Sequence, residues 1–291
     1  MIHPSAHIDP TAELSTDVSI GPNCYVGPRV VLGEGCVLRN NVTIGGWTIC
    51  GRNNVFYAGA VVGEDPQDLK YKGQPTRLEI GDDNVFRECV TVNRGTEVAG
   101  GLTRIGSHNR FMAYVHVAHD AVVGNGCILA NSVQLAGHVH VEDHVTMAGL
   151  IGVHHFTTIG RLAYCTGLTR VTTDVPPFMI ISGNPSQVRG FNETGMRRWG
   201  MTEEQIRGVR EAYKILFSKR SEDYGPSIQE RLAHLEARGD LNGEVQYLCR
   251  SIRESLDHGV YGRRLERLRR DTDADRQAYY GDKHRPPESA S

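Results

Sequence analysis

Apolar residues recur along the N-terminal part of the chain with a period of six. Stepping from Ile2 gives Ile8, Leu14, Ile20, Val26, Leu32, Leu38, Ile44, Cys50, Phe56 and Val62. After a break come Ile80, Phe86 and Val92, and after a second break the series runs from Ile105 through Phe111, Val117, Val123, Leu129, Leu135, Val141, Met147, Val153, Ile159 and Cys165 to Val171. With 39% of residues hydrophobic, such a run has a chance probability on the order of one in 10^10 before choice of frame. The residue four places further on is usually small or β-branched, as in Ala6, Ala12, Val18, Cys24, Val30, Cys36 and Val42, and later Val115, Ala121, Cys127, Val133, Val139 and Val145. Gly often follows the apolar residue directly, as in "IGPNCY" and "LGEGCV". This grammar predicts short strands ending in tight turns, with one large and one small side chain pointing inward and Gly supplying positive φ at the corners. Three hexads close one triangular coil, and coils stacked at ~4.8 Å build a β-solenoid of eight or nine turns, about 40 Å long.

The two breaks must leave the rod as loops: "EDPQDLKYKGQPTRLE" over 64–79 and "EVAGGLTR" over 97–104. Long excursions from a regular scaffold are common carriers of function. The period stops at "VTTDVPPFMI", where Pro176 and Pro177 interrupt the strands, so the solenoid occupies 1–185. An α-helical domain follows over 186–270. In "MTEEQIRGVREAYKILFSK" a capping box from Thr202 to Gln205 precedes Ile206, Val209, Tyr213 and Leu216 at helical spacing, and "SIQERLAHLEA" and "EVQYLCRSIRES" continue the pattern. The polar segment 271–291 reads as a flexible tail.

Composition narrows the function classes. Thirty-two basic against thirty-four acidic residues give a net charge of −2, so bulk electrostatics offers no argument for nucleic acid as a partner. The N-terminus has no signal-peptide pattern, and no apolar run is long enough for a bilayer, which points to the cytoplasm. Seven cysteines without a CxxC pair read as reduced core thiols. Walker A, strand-linked GxGxxG and GxSxG motifs are absent from the sequence.

The chemistry therefore rests on polar residues inserted into the repeat. Histidines concentrate in the second half of the rod, at positions 116, 119, 138, 140, 144, 154 and 155. With eighteen residues per coil, His119, His138 and His155 fall on neighbouring positions of successive coils and form a stripe. Such a stripe can be read as a Zn²⁺ site, in which "HVAH" supplies neutral imidazoles. It can equally be read as a general base with neighbours that position a substrate, while a noncatalytic trimeric scaffold is a third reading.

"PQDLKYKGQPTRLEIG", "VHVAHDAVVGN", "LAGHV", "VHHF" and "DVPPFMIISGNP" occur in that order. Together they resemble the UDP-N-acetylglucosamine acyltransferases that begin lipid A biosynthesis, over about residues 2 to 220. The resemblance implies a left-handed parallel β-helix, where general connection rules favour the right hand, and a homotrimer with active sites between subunits. It implies transfer of an (R)-3-hydroxyacyl chain from acyl carrier protein to the sugar 3-position. On this reading His119 is the general base, Asp120 its companion, and the Gly137 N–H the oxyanion donor. Gln67, Asp68, Lys70, His116, His138, His154, His155, Asn192 and Arg198 line the substrate site, and Gly167 falls where acyl length is controlled. Neither a metal nor a cofactor is implied, because the phosphopantetheine thioester is a co-substrate. Basic residues Arg207, Arg210, Lys214, Lys219 and Arg220 suggest where an acidic carrier protein docks. The chain departs from the family at His155, commonly Gln, and at Thr194 and Trp199, commonly Glu and Arg. Some family members acylate an amine, so an amide-forming reaction on the 3-amino sugar is the alternative.

Overall fold

The computed structural model describes residues 1–217 and 226–269; the expected tail, Lys219 and Arg220 lie outside the described residues. Three sheets run the length of the N-terminal part. The first contains the strands from His7–Ile8 to Arg170–Val171, the second those from Glu13–Leu14 to Thr158–Ile159, and the third those from Ser19–Ile20 to Met179–Ser182. Consecutive strands enter the three sheets in rotation, and each pairs in parallel with the strand one coil later. His116, for example, is opposite Gln134, which is opposite Gly152, which is opposite Arg170. The six-residue series points inward throughout its central stretch: Val26, Ile44, Phe56, Phe86, Phe111, Val117, Leu135 and Val171 are fully buried. Phe56, Phe86 and Phe111 stack with centroids 4.8 and 4.9 Å apart. A second ladder is polar and just as deeply buried, since Asn54, Asn84 and Asn109 bond one another through backbone N–H groups and side-chain amides at 2.9–3.0 Å.

Both breaks in the period fall at one place, the corner between the first and second sheets. The first connects strand Val61–Glu64 to strand Arg77–Ile80, and the second connects Thr91–Asn93 to Leu102–Ile105. Their loops are shorter than the sequence suggests, because Arg77, Leu78, Glu79 and Ile80 all pair with residues 102–105. Leu78 and Thr103 are fully buried, so the ends of each excursion are drawn into the ladder.

The corners correct one expectation. Apart from Gly63, with φ of 88°, the glycines that directly follow the inward residue do not take positive φ. They are glycines because the next coil is too close for a Cβ: one built on Gly33 would lie 2.6 Å from the Gly51 carbonyl oxygen, and one on Gly45 2.2 Å from that of Gly63. The left-handed position comes three residues after the inward one. Gly35, Gly59 and Gly126 fill it as the sequence suggests, but so do Asp120, His138, His144, Leu150, Phe156, Leu162 and Leu168, all with φ near +60°. Bulky residues in this region pay conformational energy that only the surrounding ladder can offset.

Beyond the prolines, strand Met179–Ser182 adds to the third sheet and turns back in an antiparallel hairpin with Gln187–Phe191. Helices α1 (Glu193–Arg198), α2 (Glu203–Phe217), α3 (Ile228–Glu236) and α4 (Gly243–His258) follow. The expected box caps α2, with the Gln205 N–H donating to Thr202 Oγ1 and the Thr202 N–H to Gln205 Oε1. Ile206, Val209 and Leu216 of α2 pack on Leu232, Leu235, Leu248 and Ile252, making a second core that continues into Leu162, Phe178 and Met179 at the end of the rod. Among the described residues no helix is long and apolar enough to cross a membrane, and all seven cysteines are free.

The two kinds of glycine should separate in a stability measurement. Gly33→Ala pushes a methyl group into the next coil's backbone and should lower the unfolding free energy by about 1–3 kcal/mol. Gly152→Ala, whose Cβ meets nothing within 4 Å, should be close to neutral. Equal melting temperatures for the two variants would refute the close-approach explanation.

Candidate active site

The corner between the first and second sheets collects most of the polar residues singled out in the sequence. Its successive coils contribute the 65–76 loop with Gln67, Asp68 and Lys70, then the 94–101 segment, then Ala118–His119–Asp120–Ala121. Above these lie Ala136–Gly137–His138–Val139 and His154–His155–Phe156–Thr157. The eighteen-residue register sets His119 beside Gly137, and Asp120 beneath His138 and Phe156.

His119 is held at one end. Its Nδ1 lies 2.7 Å from Asp120 Oδ2, and its Nε2 faces Asp68 Oδ2 at 4.0 Å. Asp120 is buried, 8% exposed, and its carboxylate is crowded with donors. Oδ1 accepts the Thr96 N–H at 2.7 Å, Oδ2 accepts the Thr96 hydroxyl at 2.6 Å, and the Asp120 N–H donates to Thr103 Oγ1. With the carboxylate accepting, Nδ1 carries the proton and Nε2 presents a lone pair to the solvent side. Gly137 leaves room for this ring, because a Cβ there would lie 2.6 Å from His119 Cε1. Its N–H has no acceptor among the described residues, whereas the equivalent N–H groups of Arg52, Asp82, Ser107 and Asn125 each donate to a side chain one coil on.

His138 packs edge-on to His119, centroids 5.3 Å apart, and its Nε2 is 3.7 Å from the same Asp120 oxygen. Burial is the main cause that holds His138 below the usual histidine pKa, and the same holds for His116. His116 lies on the outer face of the first sheet with Nδ1 2.7 Å from Thr91 Oγ1. There it lines a groove of about 520 Å³ with Gln134, Gly152, His154 and Arg170. His154 and His155 have ring centroids 3.8 Å apart, and His155 is pushed down to about 4, first by burial and then by His154. A second cavity of about 540 Å³ between α3 and α4 shares no residue with this corner.

The ligand atoms of His119, Asp120 and His138 lie within 4.8 Å of one another, close enough to hold a metal ion. The bonds already present favour the other reading, since a cation on Asp120 would compete with both Thr96 donors and with His119 for the same two oxygens.

Three site residues from the sequence, Asn192, Arg198 and Gly167, lie elsewhere. Asn192 caps α1, accepting from the Gly195 N–H and donating to the Leu162 carbonyl, so both ends of its amide are used within the chain. Arg198, exposed on α1, makes no ion pair among the described residues. Neighbouring Trp199 stacks on His144 at the corner between the second and third sheets. Gly167 sits at the remaining corner, beside Leu168.

Sequence reasoning missed Arg94, Thr96, Thr103 and Phe156. Arg94 is 7% exposed and clasps the first loop, donating to the Gly63 carbonyl and Asp65 and reaching the Tyr71 hydroxyl at 3.2 Å. The signal was the run "VNRGT", where polar residues follow inward Val92 without a return to the period until Ile105.

The depressed histidines set a direction for acid stability. A group whose folded pKa lies below its unfolded value near 6.5 takes up its proton more readily in the unfolded chain, so acid destabilises the fold as pH drops from about 6.5 toward 4. His155→Gln removes the largest such histidine shift. Its melting temperature should fall less than the parent's between pH 6.5 and 4.5, and parallel curves for the two proteins would contradict this assignment.

Two family models match the chain. One, described as UDP N-acetylglucosamine O-acyltransferase, domain 2, covers residues 174–261; the other, bacterial transferase hexapeptide (six repeats), covers residues 102–137. An acyl-[acyl-carrier-protein]–UDP-N-acetylglucosamine O-acyltransferase of Alkalilimnicola ehrlichii is 46% identical over 254 residues, 87% of this chain and 96% of the relative. One of Stutzerimonas stutzeri is 45% identical over 255 residues, 88% and 97% respectively. The solved UDP-N-acetylglucosamine O-acyltransferase of Moraxella catarrhalis superposes with a TM-score of 0.81 at 41% identity, covering 87% of this chain and 96% of that one. That of Bacteroides fragilis, a UDP-N-acetylglucosamine acyltransferase, gives 0.82 at 37%, over 87% and 97%. A corner histidine paired with a buried aspartate on a hexapeptide coil, joined to relatives at this identity over nearly their whole length, places the chain in the acyl-[acyl-carrier-protein]–UDP-N-acetylglucosamine O-acyltransferase family.

Proposed function

We propose that this protein transfers an (R)-3-hydroxyacyl chain from acyl carrier protein to the 3-hydroxyl of UDP-N-acetylglucosamine, the first step of lipid A biosynthesis. The observation that carries this reading is the His119–Asp120 pair, with Nδ1 tied to a buried carboxylate and Nε2 free over Gly137. His119 Nε2 takes the proton of the sugar hydroxyl, and the oxygen attacks the thioester carbonyl carbon. The resulting oxyanion is met by the Gly137 N–H. As the C–S bond breaks, the imidazolium returns the proton to the departing phosphopantetheine sulfur. An imidazole base of this kind contributes about 10²- to 10⁴-fold, and one oxyanion donor about 10²- to 10³-fold. Asp120 holds the tautomer and stabilises the imidazolium, and no step calls for a metal, a cofactor or an acyl-enzyme. Gln67, Asp68 and Lys70 on the first loop, with His116 and His154 on the groove and His138 and His155 at the corner, contact sugar and phosphates. The free thiols fit a cytoplasmic enzyme.

The coil is left-handed and the assembly a homotrimer in this reading. Support comes from the separation of the site residues. Asn192 and Arg198 lie on α1 near the corner beside Trp199, away from His119, and a boundary between subunits would bring the two corners together. The corner of Gly167 exposes Tyr114, Leu150 and Leu168 at 61%, 61% and 75%. An apolar edge of this kind suits an acyl chain enclosed by a second subunit. For acyl carrier protein, Arg207 and Lys214 are seven residues apart on one face of α2, whereas Arg210 is engaged with Glu193 and Phe191.

Incubating the protein with a panel of 3-hydroxyacyl carrier proteins and either UDP-N-acetylglucosamine or its 3-amino analogue, with mass spectrometry of the products, tests the reaction. An ester product is expected, and His119→Ala should lose about 10²- to 10⁴-fold in kcat with an unchanged melting temperature. A fully active His119→Ala enzyme would remove the proposed base, and an amide product alone would move the reading to the amino sugar. In the same assay Lys214→Glu should raise KM for acyl carrier protein without altering that for the sugar; an unchanged KM rejects this docking face.

Shared sites can be tested by complementation. Inactive His119→Ala and Arg198→Ala proteins, unfolded together and refolded, should regain activity by forming boundaries at which both residues are intact. Failure to regain any, with each variant still trimeric by light scattering, would place both residues' contributions within one subunit.

A further inference from the structure

Past α4 the chain turns back onto the rod, in a segment that the domain-2 family model, ending at residue 261, does not include. Asp174 receives it at the last coil: the Asp174 N–H donates to the Gly262 carbonyl, and Asp174 Oδ2 accepts both the Arg264 N–H and the Ser255 hydroxyl at 2.8 Å. Arg263 donates to the Thr172 carbonyl at 2.9 Å, and Arg264 bonds Glu142 and Glu254, each at 2.8 Å. Six or so bonds thus fix a short 3₁₀ segment, Arg264–Leu268, along the active-site corner. Glu266, 9% exposed, sits between Arg263 and Arg269 at 2.9 and 2.6 Å. Arg269 is thereby set over the ring of Phe156, 4.7 Å from its centroid.

Phe156 is the residue through which this segment reaches the chemistry. It is 5% exposed, and its ring lies parallel to the His138 ring, centroids 4.3 Å apart with planes 6° from parallel. His138 in turn meets His119 edge-on and approaches the Asp120 oxygen that holds His119. Guanidinium, phenyl and two imidazoles form one continuous ladder across successive coils. Phe156, His138 and Asp120 all adopt left-handed backbone, so their side chains leave the corner in parallel and their stacking depends on what closes the end of the row.

We infer that the 263–269 segment is a positioning strap for the catalytic histidine, with Arg269 acting through Phe156 and His138 to fix the direction of His119. The inference rests on His119 being the base. Arg269 here is a positioning residue: it caps the Phe156 face, excludes water from the stack, and keeps the His138 ring from rotating into the place of His119 beside Asp120. Misorientation of a base by a fraction of an ångström costs rate while leaving substrate affinity largely intact.

The test is steady-state kinetics on the full chain with both substrates varied. Arg269→Gln should lower kcat about 5-fold or more while each KM stays within about 2-fold, and Arg269→Lys, which keeps a cation over the ring, should restore most of the loss. Phe156→Leu should lower kcat similarly, and adding Arg269→Gln to it should cause little further loss, because the two act in one chain of contacts. An Arg269→Gln enzyme with parental kcat overturns the strap, as does one that only melts at a lower temperature, or one whose effect adds fully to that of Phe156→Leu. His119→Ala run alongside keeps the two readings apart: if it is inactive while Arg269→Gln is unaffected, the strap fails and the base stands.

Discussion

The backbone ladder that pairs each residue with the one a coil later is the constraint on which everything else hangs. Parallel strands only two residues long have little stability of their own. They persist because every coil bonds to the one above and below it and buries a matched large and small side chain. The ladder brings residues eighteen apart into contact at the same corner. A sequence that places polar groups at one phase of the repeat on successive coils therefore builds a column of them, as with His119 against Gly137 and Asp120 beneath His138 and Phe156. Close stacking also leaves no slack. The backbone approach that excludes a Cβ at Gly33 or Gly45 is the same that holds the imidazole of His119 against Gly137.

Regularity alone would give a stripe without chemistry. Function enters where the period is broken, and both breaks are at the same corner, immediately below His119. The first brings Asp68 to within 4.0 Å of its Nε2, and the second supplies Thr96, whose N–H and hydroxyl commit the Asp120 carboxylate. A loop projecting from a rigid rod needs an anchor if it is to hold a carboxylate in place, and buried Arg94 is that anchor for the first loop, drawn from the start of the second. The two excursions are thus one device.

The rod, its inward residues and the three longer helices were readable from spacing, because periodic burial leaves a local signature in the chain. The grouping of the corner histidines was readable once the coil length was known, since eighteen-residue arithmetic needs no structure. The partners of Asp120 were not. Thr96 lies on the far side of a break whose length destroys that arithmetic, so nothing in its spacing aligns it with position 120, and Thr103, although one coil from Ala121, falls inside the segment that reads as a loop. Phe156 was visible as an apolar residue in "VHHF", yet its stacking on His138 depends on a left-handed corner that pattern alone did not reveal. The glycines misled for a related reason. Positive φ is their usual justification in a turn and holds for Gly35, Gly59 and Gly126, but at many corners the strain is carried by residues such as Asp120 and His138, and most glycines directly after the inward residue make room instead.

That distribution of strain bears on the chemistry of the pair. Two imidazoles compete for Asp120 Oδ2, one at 2.7 Å and the other at 3.7 Å. Burial disfavours charge on His138, and a neutral ring at 3.7 Å draws little from the carboxylate, so the negative charge is spent on His119. Were both rings equally placed, the carboxylate would be divided between them. The asymmetry comes from backbone: Asp120 follows His119 directly and reaches its Nδ1 within one corner, while His138 approaches from the coil above, stacked face to face on Phe156. A single coil offset therefore distinguishes the imidazole proposed to move protons from the one proposed to keep it in line.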